Sequence, residues 1–134
     1  MAVPSASTRI RAAVAAWPGM REAPHRFGGV EFMLGTREIG HLHGDRLLDV
    51  PFPKRVRNEL VAVGLAQPHH VLPESGWVSF FIEKEADVDA AIALLRRSHD
   101  MVAAQLERRA VQSAAAKAVR QAGVGESLVL GSRK

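Results

Sequence analysis

The chain reads as an α+β domain: an antiparallel sheet of about four to five strands packed against a long C-terminal helix, with a short N-terminal helix and a short middle helix. Two observations predict this. Between residues 25 and 50, and again from 77 to 82, apolar residues alternate with polar ones or run continuously between glycine turns, as strands do. From about residue 86 the apolar positions recur at spacings of three and four, which only a helix satisfies.

The 134 residues suffice for one domain with a real core. With 47% hydrophobic and 24% charged residues, the chain has enough apolar surface to fold and too little charge imbalance to stay disordered. It contains no cysteine, which excludes disulfide bracing, thiol catalysis and cysteine-ligated metal, and agrees with a cytoplasmic address. No apolar run approaches the roughly 18 residues of a membrane helix, and the patch after Arg9 and Arg11 is too short for a secretory leader. No membrane partner is expected.

Residues 5–16 form a short amphipathic helix, capped by Ser5 or Ser7, with Ile10, Val14 and Trp17 on one stripe. Pro18 and Gly19 end it. Residues 25–27 read as a strand, Gly28 and Gly29 as a turn, and Val30, Phe32 and Leu34 as the inward side of the next strand. A turn at Gly35 leads into an extended run over 37–43. Gly44 and Asp45 turn the chain, and residues 46–50 return as a further strand. A helix over 53–63 starts on proline and stops at Gly64, with Val56, Leu60 and Val63 buried. Residues 67–72 are a short extended piece. Trp77 to Ile82 is the last strand, apolar on both faces and therefore expected inside the sheet. The long helix then buries Val88, Ile92, Leu95, His99, Val102 and Leu106. Beyond Ala110 its stripe meets Ser113 and Lys117, so core contact should fade. The segments are thus 1–22, helix and connection; 23–110, the α+β domain sharing one core with that helix; and 111–134, a helical extension ending in a frayed tail at Gly123 and beyond. That extension either projects into water or pairs with a second copy as a homodimer.

The formal charge of +4 is concentrated toward the C-terminus. A basic helix face together with Arg55 and Arg57 suits either solvation or a phosphate backbone, and the absence of interleaved aromatic residues favours solvation.

The chemistry concentrates elsewhere. Four of the six histidines fall at His41, His43, His69 and His70. On a regular strand His41, His43 and Asp45 leave one face together with Ile39. Neutral imidazole is a common metal ligand, so a His-x-His pair joined by His69 or His70 suits a divalent transition metal such as zinc, copper, iron or nickel. Asp45 would then be a ligand or would orient a ring. Without a metal, the same histidines act as general bases on an acidic C–H or O–H of a small molecule, with Arg37 or Arg46 holding an anionic substrate. The plain alternative is strand histidines bonded to backbone and a surface turn. His99 is either a satisfied core residue or the far wall of the same pocket. No nucleophile elbow, phosphate loop or His-Glu-x-x-His motif is present.

The run Arg37-Glu38-Ile39-Gly40-His41-Leu42-His43, then residues 64–70, then Gly76-Trp77-Val78-Ser79-Phe80 before the long helix, resembles the luciferase-domain family. That family comprises small bacterial proteins and the fungal luciferases, which oxidise a hydroxylated pyrone with molecular oxygen. The likeness spans roughly residues 23–106, and with bacterial members it includes His25-Arg26-Phe27-Gly28-Gly29 and Leu48-Asp49-Val50-Pro51-Phe52-Pro53. It implies a luciferase-like enzyme, an oxygenase acting on a pyrone or phenolic compound with molecular oxygen as co-substrate. His41 and His43 would be its first site residues, His69 or His70 the next, and Trp77 a pocket wall. More remotely, the element order is similar to the double-wing fold of YjbR-like proteins. It implies the alternative of a non-catalytic module that binds a small ligand or DNA.

Overall fold

A computed structural model describes residues 3–25 and 28–133, with side chains described as far as residue 122. The chain forms two compact units, residues 1–102 and 103–134.

The first unit opens with α1 (Ala6–Ala15), whose buried face is Ala6, Ile10 and Val14. Neither serine hydroxyl caps it. Ser5 sits at φ 65° and makes no side-chain cap, and the Ser7 N–H instead donates to the Asp45 carboxylate at 2.7 Å. An acceptor bearing full negative charge, brought from another element, suits the positive end of a helix better than a hydroxyl does. Asp45 is therefore a helix cap and not a partner of the histidines.

Six strands follow: β1 (Met20–Pro24), β2 (Val30–Leu34), β3 (Arg37–His43), β4 (Leu47–Pro51), β5 (Gln67–Pro68) and β6 (Trp77–Phe81). They form one antiparallel sheet in the order β1-β2-β3-β4-β6-β5. The count exceeds the expected four to five because Met20–Pro24 pairs with β2 despite weak alternation, and the two residues of β5 add an edge. Proline is tolerated at both places because edge strands have N–H groups that need no partner. The strand expected at 25–27 begins earlier, and Arg26 and Phe27 lie outside the described residues. The strand expected through Ile82 ends at Phe81, which is exposed, and that strand lies inside the sheet between β4 and β5, as expected.

The middle helix, α2 (Lys54–Ala62), starts after Pro53 and buries Val56 and Leu60. Val63 lies beyond its end and is exposed, contrary to its expected place on the buried stripe. The last helix, α3, spans Glu85–Arg133. Within the first unit it buries Val88, Ala91, Leu94, Leu95, Ser98, His99 and Val102.

In the second unit the helix is exposed from residue 107 to residue 122, including Val111 and Val119. The helix continues to Arg133 where the sequence predicts a frayed tail. No proline interrupts that stretch, and an isolated glycine costs a helix only about 1 kcal/mol. Among the described residues, no helix is long and apolar enough to cross a membrane.

The sheet has two distinct faces, and one irregularity decides what each carries. Phe32 pairs with Gly40, but Met33 pairs with Glu38, so β3 holds one extra residue, Ile39. This β-bulge resets the alternation. Ile39 goes fully into the core, and Glu38 takes the face expected for Ile39. Gly40 turns the other way, where a Cβ would stand 2.6 Å from Leu95 of α3 and 3.1 Å from the Asp49 carbonyl. Helix α3 packs against this apolar face, beside Val50.

A second close approach sets the start of β6. Gly76 and Phe52 share a backbone hydrogen bond of 3.1 Å, and a Cβ on Gly76 would lie 2.0 Å from the Phe52 carbonyl oxygen. Backbone cannot yield as a side chain does. Gly76→Ala should therefore cost about 1–3 kcal/mol, read as a lower denaturation midpoint. An unchanged midpoint would mean that this crossing is not a constraint.

Candidate functional site

The pocket is built from one row of residues across the polar face. Glu31 on β2 pairs with His41 on β3, His41 with Asp49 on β4, Asp49 with Ser79 on β6, and Ser79 with Gln67 on β5. Antiparallel partners stand side by side on one face. Two residues along β3, His43 adds a second ring. His25 follows β1, and His69 and His70 follow β5. Together they enclose a cavity of about 780 Å³, with Trp77, Val71 and Leu72 as its apolar members. This is within the usual range for a small-molecule site, about 300–1,000 Å³.

At its centre is Asp49, whose side chain is fully buried. Its Oδ1 accepts a hydrogen bond from the Ser79 hydroxyl at 2.7 Å. Its Oδ2 meets the Nε2 atoms of His41, His43 and His70, each at 3.1 Å, and that of His69 at 3.5 Å. Burial alone would raise this carboxyl, but hydrogen bonds from His41, Ser79 and His70 outweigh it and hold Asp49 well below the ordinary carboxylate range.

Four nitrogens around one oxygen exceed what that oxygen accepts, since a carboxylate oxygen has about two lone-pair sites. The surroundings divide the four into two kinds. His69 Nδ1 accepts the backbone N–H groups of Val71 and Leu72, at 3.1 and 3.0 Å. Its proton must then sit on Nε2, which faces Asp49. His41 lies between two carboxylates, with Nδ1 donating to Glu38 at 2.7 Å. Burial pulls this imidazole down, but the hydrogen bonds to Asp49 and Glu38 outweigh that and lift it to about 9. It is a cation at neutral pH. With His41 donating and the His69 N–H farther off, Oδ2 has one acceptor site left for His43 and His70 together, so at least one of these two rings presents a lone pair. Burial, followed by the charge on His41, lowers His43 and keeps it neutral; burial lowers His69 too.

Further contacts orient the rings. His25 Nδ1 bonds Glu31 at 2.8 Å, and its ring stacks on His41 with centroids 4.0 Å apart and planes 16° apart. His41 stands nearly perpendicular to His43, at 85°, and the indole of Trp77 lies 5.1 Å from His41. Among the described residues, three groups of donor atoms lie close enough to hold a metal ion: His25, His41 and His43; His41, Asp49 and His69; and His43, Asp49 and His70.

Of the residues predicted from the sequence, His41, His43, His69, His70 and Trp77 line this cavity, whereas Arg37, Arg46 and His99 do not. His99 belongs to α3, which covers the opposite face, and its ring contacts Trp17, Asp100 and the Pro18 carbonyl. The residues not foreseen are Asp49, Glu38, Glu31, His25, Val71 and Leu72. A signal for Asp49 was present: it is the one charged residue within an otherwise apolar strand, Leu47–Pro51, where an unpaired charge would be costly.

Fold and site together define an α+β domain with a cavity lined by histidines around a buried carboxylate. Residues 36–98 match the family model of the luciferase domain, so this stretch is similar to the luciferase-domain family. The matched segment includes every pocket residue from Glu38 to Trp77 and leaves out His25 and Glu31. Neither the curated proteins nor the solved structures compared with the chain contain a significant match.

Because Asp49 neutralises buried imidazolium, Asp49→Asn should cost about 3–5 kcal/mol of stability. Ser79→Ala should cost less, about 1.5–3 kcal/mol, since it removes one hydrogen bond to a charged group. Urea unfolding of both variants measures the order, and a reversed order would remove Asp49 from its central place.

His41 also sets a pH dependence. Its folded value of about 9 lies above its ordinary 6.5, so the stability it contributes is complete below about pH 6.5 and drains as pH rises through about 9. In chelating buffer, denaturation midpoints should fall between pH 7 and 10, and fall less steeply for Glu38→Gln. A flat wild-type profile would contradict the assignment.

Proposed function

We propose that the protein is a small-molecule enzyme of the luciferase-domain kind, an oxygenase that takes a phenolic or hydroxypyrone compound into this pocket. The observation that carries the reading is the pairing of a cationic His41 with neutral His43 around one buried carboxylate, beside an apolar rim. Titratable groups pushed apart in this way fit acid and base roles at one pH.

The chemistry follows from the residues. Trp77, Val71 and Leu72 suit the flat apolar body of an aromatic or pyrone ring. An acidic hydroxyl on that ring is drawn toward neutral His43 near the mouth of the cavity. The His41 imidazolium stabilises the oxyanion formed when the proton leaves. Such an anion is electron-rich, the form in which phenols and enols react with oxygen. If both oxygen atoms stay in the product, the substrate supplies all the electrons and no outside reductant is required.

The DNA-binding alternative has weaker support. Arg57 is engaged by the Asn58 side chain and the Pro73 carbonyl, and Arg55 lies 3.7 Å from Glu59. Neither is a cation held ready for phosphate.

Oxygen uptake by purified protein, screened against hydroxypyrones and simple phenols, tests the proposal. His41→Ala and His43→Ala should each lower turnover by about 10²–10⁴-fold while circular dichroism stays native. Full turnover in both variants, or no uptake with any such compound, would sink it.

A further inference from the structure

We propose that His43, His70 and Asp49 form a two-histidine, one-carboxylate centre for a divalent first-row transition metal ion, with its open positions facing the cavity. The argument starts from the crowding at Asp49 Oδ2. His41, set between two carboxylates, directs an N–H group at it from 3.1 Å, and the His69 N–H, 3.5 Å away, is too distant to take up the second lone pair. His43 Nε2 and His70 Nε2 still approach the same atom to 3.1 Å. A nitrogen lone pair facing a carboxylate oxygen at that distance is repulsive unless a cation lies between them.

The spacing fits an ion. Donors each about 2.1–2.2 Å from a metal and at right angles lie about 3.0–3.1 Å apart. The three donor atoms lie within 4.8 Å of one another.

Ring orientation separates this set from its competitors. A histidine binds through a lone pair in the plane of its ring, so two rings share an ion only if their planes meet at it. The planes of His43 and His70 are at 90° with centroids 6.3 Å apart, so they intersect. The planes of His25 and His41 are 16° apart and stacked at 4.0 Å, which prevents joint ligation. His69 fails for a different reason. Its Nδ1 accepts two backbone N–H groups, so a lone pair on Nε2 would require an imidazolate.

Access agrees with the assignment. The His43 and His70 side chains are 27% and 40% exposed, while His41 and His69 are each 9% exposed. The proposed ligands therefore face the mouth of the cavity, where a substrate or oxygen can reach the remaining coordination positions. Three protein ligands of this type with open positions suit iron(II) in oxygen-using enzymes. The choice of iron(II) deepens the oxygenase reading and rests on it, a bound ion then taking up the His43 and His70 lone pairs and drawing the substrate hydroxyl in their place; the metal centre itself does not rest on that reading.

Chelator-stripped full-length protein titrated with cobalt(II), followed by visible absorption and calorimetry, tests the centre without any substrate. One ion per chain should bind. His70→Ala, at an exposed position that leaves the core untouched, should weaken binding at least about 100-fold, and His43→Ala likewise. Glu38→Gln should change affinity less than about threefold, because its carboxylate bonds His41 and is not one of the proposed ligands; a site centred on His41 would lose about 10–100-fold with its orienting carboxylate. Absence of stoichiometric binding, retention of affinity in His70→Ala, or loss of it in Glu38→Gln each overturns the assignment. Oxygen uptake measured in parallel keeps the two proposals apart. Cobalt binding without turnover of any phenol or pyrone would leave the centre standing and remove the oxygenase; failure to bind cobalt together with turnover that survives complete chelation would do the reverse.

Discussion

A carboxylate removed from water must be answered by hydrogen bonds and opposite charge, and the polar face of this sheet is arranged around that requirement at Asp49. Ser79 satisfies one oxygen and a ring of imidazoles surrounds the other. Each partner is then constrained in turn: His41 by Glu38, His69 by two backbone N–H groups, His25 by Glu31 and by stacking on His41. Rings held from both sides have little freedom to turn. That is what a catalytic or ligating constellation needs from its supports.

The two faces of the sheet divide the work. Leu42, Leu48, Val50, Val78 and Phe32 supply buried apolar surface, with Leu95 seated over Gly40. Their burial supplies the hydrophobic stabilisation that offsets the cost of a charged pocket on the reverse face. The bulge at Ile39 lets one strand serve both sides. Without the extra residue, Glu38 would point into the core and His41 would lose its second carboxylate.

Much of the architecture was legible in the sequence because local rules decided it. Alternation marked β2 and β3 to the residue, proline and glycine framed α2, and the three-and-four spacing identified α3. The histidine pairs announced the pocket by composition alone. What escaped depends on neighbours distant in sequence. Asp49 looked like one position in an apolar strand until its row partners were known. The bulge has no marker beyond Gly40, so Glu38 and Ile39 were assigned to each other's faces. His99 kept helical spacing with the core, and the sequence has no way to tell which face of the sheet that helix covers. Asp45, next to a turn, was closer in sequence to the histidines than in space, where it serves α1.

The row Glu31, His41, Asp49, Ser79 and Gln67 draws one residue from each of five strands. The hairpins that supply its first three members close over short loops, but Ser79 arrives only after the chain has passed through α2 and β5. Long-range pairings of this kind form late, because the entropy of closing the loop is lost before the contact rewards it. The pocket therefore has no partially assembled form of any use. A chain that has made its early hairpins but has not docked β6 has His41 and His43 beside Asp49 but lacks the Ser79 hydroxyl on its other oxygen, so the pocket is complete only when the whole sheet is.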